Sequence, residues 1–313
     1  MKSIILEEAG NTEKLVYKET PKPEINDNEV LIQAKAISIN PVDIKTRSGK
    51  ALYEKLKENN PLILGWDVSG VVTEVGKNVK NFSEGDEVFG MVNFPGHGKA
   101  YAEYVAAPAE HLAKKPENIS HEEAAASTLV GLTAWQVLVT NAAVKSGDRV
   151  LIHASSGGVG HVAVQIAKHL GAYVIGTSSA KNKDFVLSLG TDEHIDYHEQ
   201  SFEDAVSDIN IVFDAVGGDQ AERSLKITKK GGTIISIAGG VKDPVKEKAK
   251  ELGINAYPML VASNGNDMQS IADLLAKGEL KMHVSKVFAW EEMPQAHAQI
   301  ESGRTVGKVV IKL

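Results

Sequence analysis

From Arg149 to about Val261 the chain alternates between two textures. "RVLIHA", "AYVIGT", "INIVFDAV" and "GTIISIAG" are near-continuous apolar runs, the pattern of strands buried on both faces of a parallel sheet. Between them, "GHVAVQIAKHLG", "AKNKDFVLSLG" and "GDQAERSLKITKKG" predict helices, each closing at a glycine suited to the position just past a helix end. In the first, Val159, Val162, Ala163, Ile166 and Leu170 fall on one stripe. Strand and helix in this order predict a doubly wound β-α-β sheet with right-handed crossovers.

The flanks differ. "EVLIQAKAISIN", "DVSGVVTEVG", "GDEVFGMV" and "YAEYVAAP" are short apolar or alternating runs broken by Gly, Pro, Asn and Asp, the punctuation of a mostly β domain with tight turns. In "VVTEVGKNVKNFSEGDEV", two strands are expected around a loop turning on Gly76 and Gly85. "EEAAASTLVGLTAWQVLVTNAAV" predicts a long helix with an acidic first turn. After "PMLVASN", a helix over "DMQSIADLLAKG", a strand "HVSKVFAW", a helix around "MPQAHAQIESG" and a last strand "GKVVIKL" resume the character of the N-terminal part. The expected organisation is therefore 1–122 plus 262–313 as one domain and 123–261 as an inserted parallel-sheet domain. No internal repeat or low-complexity linker interrupts it.

Charge and composition narrow the chemistry. A formal net charge of −7 argues against nucleic acid as the main partner, because that affinity rests on neutralising phosphates. The basic runs near Lys226 and Lys246 read as solvated helix faces and strand ends. With no cysteine there is no disulfide, no thiolate nucleophile and no cysteine-ligated zinc. No apolar run is long enough for a bilayer, and "MKSIILEEAG" carries acids where a signal peptide needs an apolar core. The expectation is a cytoplasmic protein.

The turn in "HASSGGVGHVAVQIAK" carries the first chemistry. Ala154, Gly157 and Gly160 stand at A-x-x-G-x-x-G between a buried strand and an amphipathic helix, the context that gives such a glycine pattern meaning. Gly157 and Gly160 let backbone approach a pyrophosphate, and Ser155, Ser156 and the amides of Gly158, Val159 and Gly160 offer donors to its oxygens. At the end of the next strand an NAD site usually has an acid for the ribose hydroxyls. Here "GTSSAKNKDF" presents Thr177, Ser178 and Ser179, then Lys181, Asn182 and Lys183. Hydroxyls and a lysine suit a 2′-phosphate that an acid would repel, so the cofactor read here is NADPH. The two lysines are open to a second reading, as residues that solvate a helix start. Tyr197 of "HIDYHE" is placed to cover the adenosine.

The order of motifs resembles the medium-chain dehydrogenase/reductase superfamily, specifically its zinc-free quinone oxidoreductase, zeta-crystallin-like branch. "SINPVDIKTRSG", "LGWDVSGVVTEVG", "GDEVFGM", "AYAEYV", "LVGLTAW", "HASSGGVGHVAVQIAK", "FDAVGG" and "GKVVI" carry the resemblance over essentially the whole chain. It implies a Rossmann sheet inserted into a GroES-like domain. Where zinc alcohol dehydrogenases have a cysteine and a Gly-His-Glu segment, this chain has Asn40-Pro41-Val42-Asp43 and Gly65-Trp66-Asp67, so no metal site is expected. His97 of "FPGHGKAY" is read as a loop histidine, solvent-facing or hydrogen-bonded. By the same resemblance Asn40, Thr128 and Thr133 belong to the nicotinamide end. Val216, Gly217, Ala238, Val284 and Ser285 line the cofactor cleft, with Gly307 and Lys308 as further candidates. Asn40 and Asp43 are equally readable as turn residues. Tyr53 is the candidate proton donor, or else a surface tyrosine on a mobile loop.

Without a metal to polarise an alcohol, the expected chemistry is hydride transfer to an acceptor already activated, a quinone or an α,β-unsaturated carbonyl. Reduction of an enoyl or 2-alkenal double bond is the close alternative. A non-catalytic NADPH-binding structural or regulatory protein is the distant one. The edge near "INAYPMLVA" suits pairing with a symmetry mate, and the resemblance suggests a homodimer.

Overall fold

Alternating runs in the first third of the chain become strands. The computed structural model describes residues 1–313, which divide into two units: Met1–Leu132 with Val261–Leu313, and Thr133–Leu260. The division falls within one long helix, whereas the texture of the sequence changes at 122.

In the first unit, β1 (Lys2–Leu6) and β2 (Leu15–Glu19) form an antiparallel pair. There follow β3 (Glu29–Ile39), short helices α1 (Pro41–Arg47) and α2 (Tyr53–Leu56), then β4 (Asp67–Val75), β5 (Glu87–Met91), β6 (Tyr104–Pro108) and β7 (Leu112–Lys114). Helix α3 (His121–Trp135) ends this stretch, its last turns widening over Gln136–Asn141.

The second unit holds β8 (Arg149–Ile152), α4 (Gly158–His169), β9 (Tyr173–Ser178), α5 (Lys183–Ser188), β10 (Glu193–Asp196) and α6 (Phe202–Ala205). It continues through β11 (Ile209–Asp214), α7 (Gln220–Ser224), β12 (Thr228–Ser236), α8 (Asp243–Leu252) and β13 (Asn255–Pro258). The chain then returns to the first unit with α9 (Gly265–Ala276), β14 (Val284–Ala289), α10 (Met293–Glu301) and β15 (Lys308–Lys312).

Strands of the second unit form one sheet in the order β10-β9-β8-β11-β12-β13, every pair parallel. This is the doubly wound arrangement that the continuous apolar runs predict. Its helix-facing core gathers Leu151, Ile175, Val212 and Ile234 with Phe202, Leu225 and Val245. One prediction needs correction. "GDQAERSLKITKKG" is not a helix throughout: α7 stops at Ser224 and β12 begins at Thr228. Ser224 Oγ bonds back to Gln220 O, Thr228 Oγ1 bonds to Ser224 O, and β-branched Ile227 and Thr228 favour extension. Gly231 at φ 81° sits inside the strand, where pairing with β11 slips register between Ile209 and Ile211, as at a bulge.

In the first unit β3 is the spine. Its first half pairs with β6 and its second half with β15, while β4 runs along it with two register shifts. Ser38 stands opposite Asp67, and Ile39 opposite Val309. Three strand ends therefore meet at one corner: the end of β3, the start of β4 and the start of β15. They bring Asn40, Asp67 and Lys308 together.

Candidate active site

The turn after β8 is built from backbone outward. Ala154 takes a left-handed φ of 53°, a conformation alanine adopts at a cost. The next strand holds it there. Thr177 O accepts both the N–H and the Oγ–H of Ser155, each at 3.0 Å, and Thr177 Oγ1 accepts the Ala154 N–H at 3.3 Å. His153 Nδ1 lies 3.2 Å from the same hydroxyl. Thr177 is buried, and the structure places it as the brace of the loop.

Gly157 is the N-cap of the twelve-residue α4 and has no side chain to cap it. The first amides of the helix, at Gly158, Val159 and Gly160, are thereby left as donors at a positive helix end. The two glycines differ in what requires them. A Cβ on Gly160 would lie 2.1 Å from Ala154 O, so the fold itself demands glycine there. A Cβ on Gly157 would meet only Ala154 O at 3.2 Å, and its φ of −79° suits any residue. Nothing in the protein fills the space over Gly157, which suits the close approach of a phosphate.

Beyond β9, Ser178 is buried, its Oγ 2.7 Å from His194 Nε2. Ser156 Oγ accepts from Asn182 Nδ2 at 3.1 Å. Lys181 is exposed, and Tyr197 is 59% exposed. After β11, Asp214 Oδ1 accepts the N–H groups of Val216 and Gly217 (2.9 and 2.8 Å) while Oδ2 accepts Ser236 Oγ–H at 2.7 Å. This clamp sets Gly217 at φ 80° against Ala238 O and turns Val216 outward, 53% exposed. Thr133 is buried at the start of this unit.

The first unit contains a second centre, a buried polar cluster at the corner of β3, β4 and β15. Asn40 caps α1 in a reciprocal capping box, its own N–H donating to Asp43 Oδ2 at 2.7 Å; "NPVD" is thus a helix start. Asn40 Nδ2 donates to Asp67 Oδ2 at 2.7 Å, and Lys308 Nζ donates to Asn40 Oδ1 at 2.5 Å and Ile39 O at 3.0 Å. Lys308 Nζ lies 3.9 Å from Asp67 Oδ2. Asp67 Oδ1 accepts the Leu129 N–H from the middle of α3 at 3.2 Å, while the neighbouring Thr128 hydroxyl donates its proton to Ala125 O at 3.1 Å. All of these side chains are buried.

A second arm leads to the surface. Arg47 pairs with Glu301, and its Nη1 lies 3.4 Å from His297 Nδ1, whose Nε2 is 3.0 Å from Tyr101 Oη. Arginine only donates. His297 Nδ1 must therefore accept, and Nε2 carries the hydrogen that it donates to Tyr101 Oη. Burial, and then the charge of Asp67, push the Asp43 carboxyl up to about 7. Burial and the Arg47 charge push His297 down to about 3, and burial takes His153 down to about 4.

Tyr53, on α2, accepts the Ala9 N–H at 3.3 Å, which leaves its own hydroxyl proton to donate. His97 Nε2 lies 2.9 Å from Ile63 O, and burial followed by the Lys99 charge lowers it to about 4. Val284 stands opposite Lys308 in β14, and Ser285 Oγ donates to Lys308 O at 3.0 Å. Gly307, at φ 63°, is fixed against His283 O. Sequence reading missed Tyr101, His297, Arg47, His153 and the clamp made by Asp214. Only Asp214 left a sign, an acid ending an apolar strand before two glycines.

A glycine-rich turn on the parallel sheet of one unit and a buried polar corner in the other define the class: a dinucleotide-dependent oxidoreductase. Residues 26–117 match the alcohol dehydrogenase GroES-like domain, and 189–311 the zinc-binding dehydrogenase family. The 2-methylene-furan-3-one reductase of Solanum lycopersicum is 35% identical over 298 residues, covering 92% of this chain and 73% of that protein. Among solved structures, the quinone oxidoreductase from Coxiella burnetii is 39% identical with a TM-score of 0.94, covering 100% of this chain and 99% of that one. The Escherichia coli quinone oxidoreductase complexed with NADPH is 29% identical with a TM-score of 0.88, each chain covered completely.

The chain belongs to the medium-chain dehydrogenase/reductase superfamily, in its zinc-free quinone and alkenal oxidoreductase branch. The residues do not fit the metal in the second family's description. Asn40 has both ends of its amide engaged, Trp66 donates its indole N–H to Gly96 O at 2.7 Å, and an ammonium lies beside Asp67.

Two outcomes are expected. Gly157→Ala should unfold at the temperature of the parent yet bind dinucleotide at least about tenfold more weakly, ~1.4 kcal/mol. Gly160→Ala should lose about 1–3 kcal/mol of stability; calorimetry and cofactor titration of both variants check this. The second concerns pH. An unfolded Asp43 ionises near its ordinary 3.8 and the folded one near 7, so its contribution is complete at low pH and lost as pH rises through that window. The stability of the protein relative to Asp43→Asn should fall between about pH 4 and pH 7 and level off above that. Melting temperatures at four pH values decide it.

Proposed function

We propose that this protein is an NADPH-dependent reductase of quinones and activated alkenes. The observation that carries the proposal is the second unit's phosphate loop: an uncapped helix end and an open Gly157, followed at β9 by hydroxyls and Lys181 where an acid would select NAD. Bound NADPH would supply a hydride to an electrophilic carbon of the acceptor. Ser156 and the amides of Gly158, Val159 and Gly160 hold the pyrophosphate, on a turn that Ser155 ties to Thr177 with both of its donors. Lys181 and Tyr197 serve the 2′-phosphate and adenosine, with Thr177 and Ser178 behind them. Val216, Gly217 and Ala238 shape the wall that the Asp214 clamp sets. Asn40, Thr128, Thr133 and Lys308 belong to the nicotinamide end, with Val284, Ser285 and Gly307 bordering Lys308.

After hydride reaches carbon, charge develops on the acceptor oxygen and needs a donor there. Tyr53 has the free proton for that role. Activated alkenes stand beside quinones because the tomato relative is by name a reductase of a methylene ketone. A homodimer formed along β13, an unpaired sheet edge next to Leu260 at 65% exposure, and residence in the cytoplasm complete the proposal.

A panel of ortho- and para-quinones, enones and 2-alkenals, with NADPH absorbance followed and products identified, tests this reading. Loss of absorbance with hydroquinone or saturated carbonyl formed is expected; NADPH binding with no acceptor-dependent oxidation would overturn it. Lys181→Ala should weaken NADPH by about tenfold and NADH little, as measured by parallel titrations. Tyr53→Phe should lower turnover and leave NADPH affinity unchanged.

A further inference from the structure

Asp67 gathers groups from three other elements. It lies at the start of β4, receives the Asn40 amide from the end of β3 and the Leu129 N–H from α3, and faces the Lys308 ammonium of β15. Two of these partners, Asn40 and Lys308, are residues placed at the nicotinamide end above. We infer that Asp67 is the positioning residue of this reaction, the carboxylate that sets the Asn40 amide and the Lys308 ammonium in the one arrangement hydride transfer uses. The inference rests on the proposed function and names the group that orders its site.

Two physical arguments support it. The first is direction. Lys308 Nζ only donates, so it fixes Asn40 Oδ1 toward itself; Asp67 only accepts when ionised, so it fixes Nδ2 on the opposite side. An amide held by an ammonium on one end and a carboxylate on the other cannot flip. The second is cost. Asp67 is fully buried and Lys308 is 3% exposed, and a buried ion pair is generally no more stable than a well-packed apolar pair of similar size. Stability alone gives no reason to keep charge at this corner, whereas a fixed geometry at a reacting site does. Burial raises the Asp67 carboxyl, opposed by the Lys308 charge and the hydrogen bond from Asn40. Asp43, the neighbouring carboxyl, accepts a backbone N–H on Oδ2 and has no hydrogen-bond partner on Oδ1, so it is the member of the pair with an oxygen open to a proton.

The test uses the full chain, NADPH, and 1,4-benzoquinone and methyl vinyl ketone as acceptors. Asp67→Asn should lower kcat about 10- to 100-fold with the NADPH dissociation constant changed by less than about threefold. The isotope effect on kcat with NADPH deuterated at the transferred position should rise as hydride transfer becomes limiting. Asp67→Asn with Lys308→Met, which buries no unpaired charge, should melt at or above the single variant and remain as slow. Wild-type kcat and isotope effect in Asp67→Asn, or recovery of kcat along with stability in the double variant, would overturn the inference. If the single variant does not fold, the double variant decides by that same comparison. Failure of the unsubstituted protein to oxidise NADPH overturns the proposed function instead, a distinguishable result.

Discussion

An ammonium buried between an amide and a carboxylate is the constraint on which the first unit is arranged. Lys308, Asn40 and Asp67 come from residues far apart in sequence, and each is brought to the corner by strand register: Ser38 opposite Asp67, Ile39 opposite Val309. Slipping either ladder by one residue would turn these side chains to the other face of the sheet. The same corner anchors α1, whose N-cap is Asn40, and α3, whose middle donates to Asp67. The positive group at this corner is a side chain, whose charge burial disfavours and the Asp67 and Asp43 carboxyls favour.

The second unit follows a different logic. Its loop is shaped by β9, mostly through the two carbonyl and hydroxyl oxygens of Thr177, and its donors point away from that brace. The energy that holds Ala154 in a left-handed conformation comes from hydrogen bonds within the protein. The helix-end amides are therefore already arranged before any anion arrives, and less ordering is lost on binding. The fold requires glycine at 160 and leaves the space over Gly157 open, although the two look identical in a sequence pattern.

How much of this was readable from the amino acids depended on whether the signal was local. The parallel sheet was, because "RVLIHA" or "INIVFDAV" carries its own burial in every residue. The phosphate turn was too, since strand, glycines and helix are contiguous. The end of α7 was misread because "KITKKG" has helical spacing and a terminal glycine, while β-branched Ile227 and Thr228 and a ladder to β11 prevailed. The buried cluster lay beyond reach for another reason. Arg47 in "IKTRSG" and His297 in "AHAQI" look like polar faces of surface elements, and only tertiary contacts turn them inward; Lys308 in "GKVVI" was a candidate through the family resemblance alone. Thr177 and Ser178 were read as cofactor ligands from position alone; their burial shows they first support the loop that the ligand meets.

The one positive side chain proposed for the 2′-phosphate, Lys181, is open to solvent. An attraction of that kind is shielded by dissolved ions over a Debye length of about 8 Å at physiological salt. Choice between the two nicotinamide cofactors should then be a property of the medium as well as of the protein, sharp in dilute buffer and blunted in brine. The Lys308 charge, sealed from water, would carry no such dependence, so a cell that concentrates its electrolytes would relax the enzyme's selectivity without disturbing its chemistry.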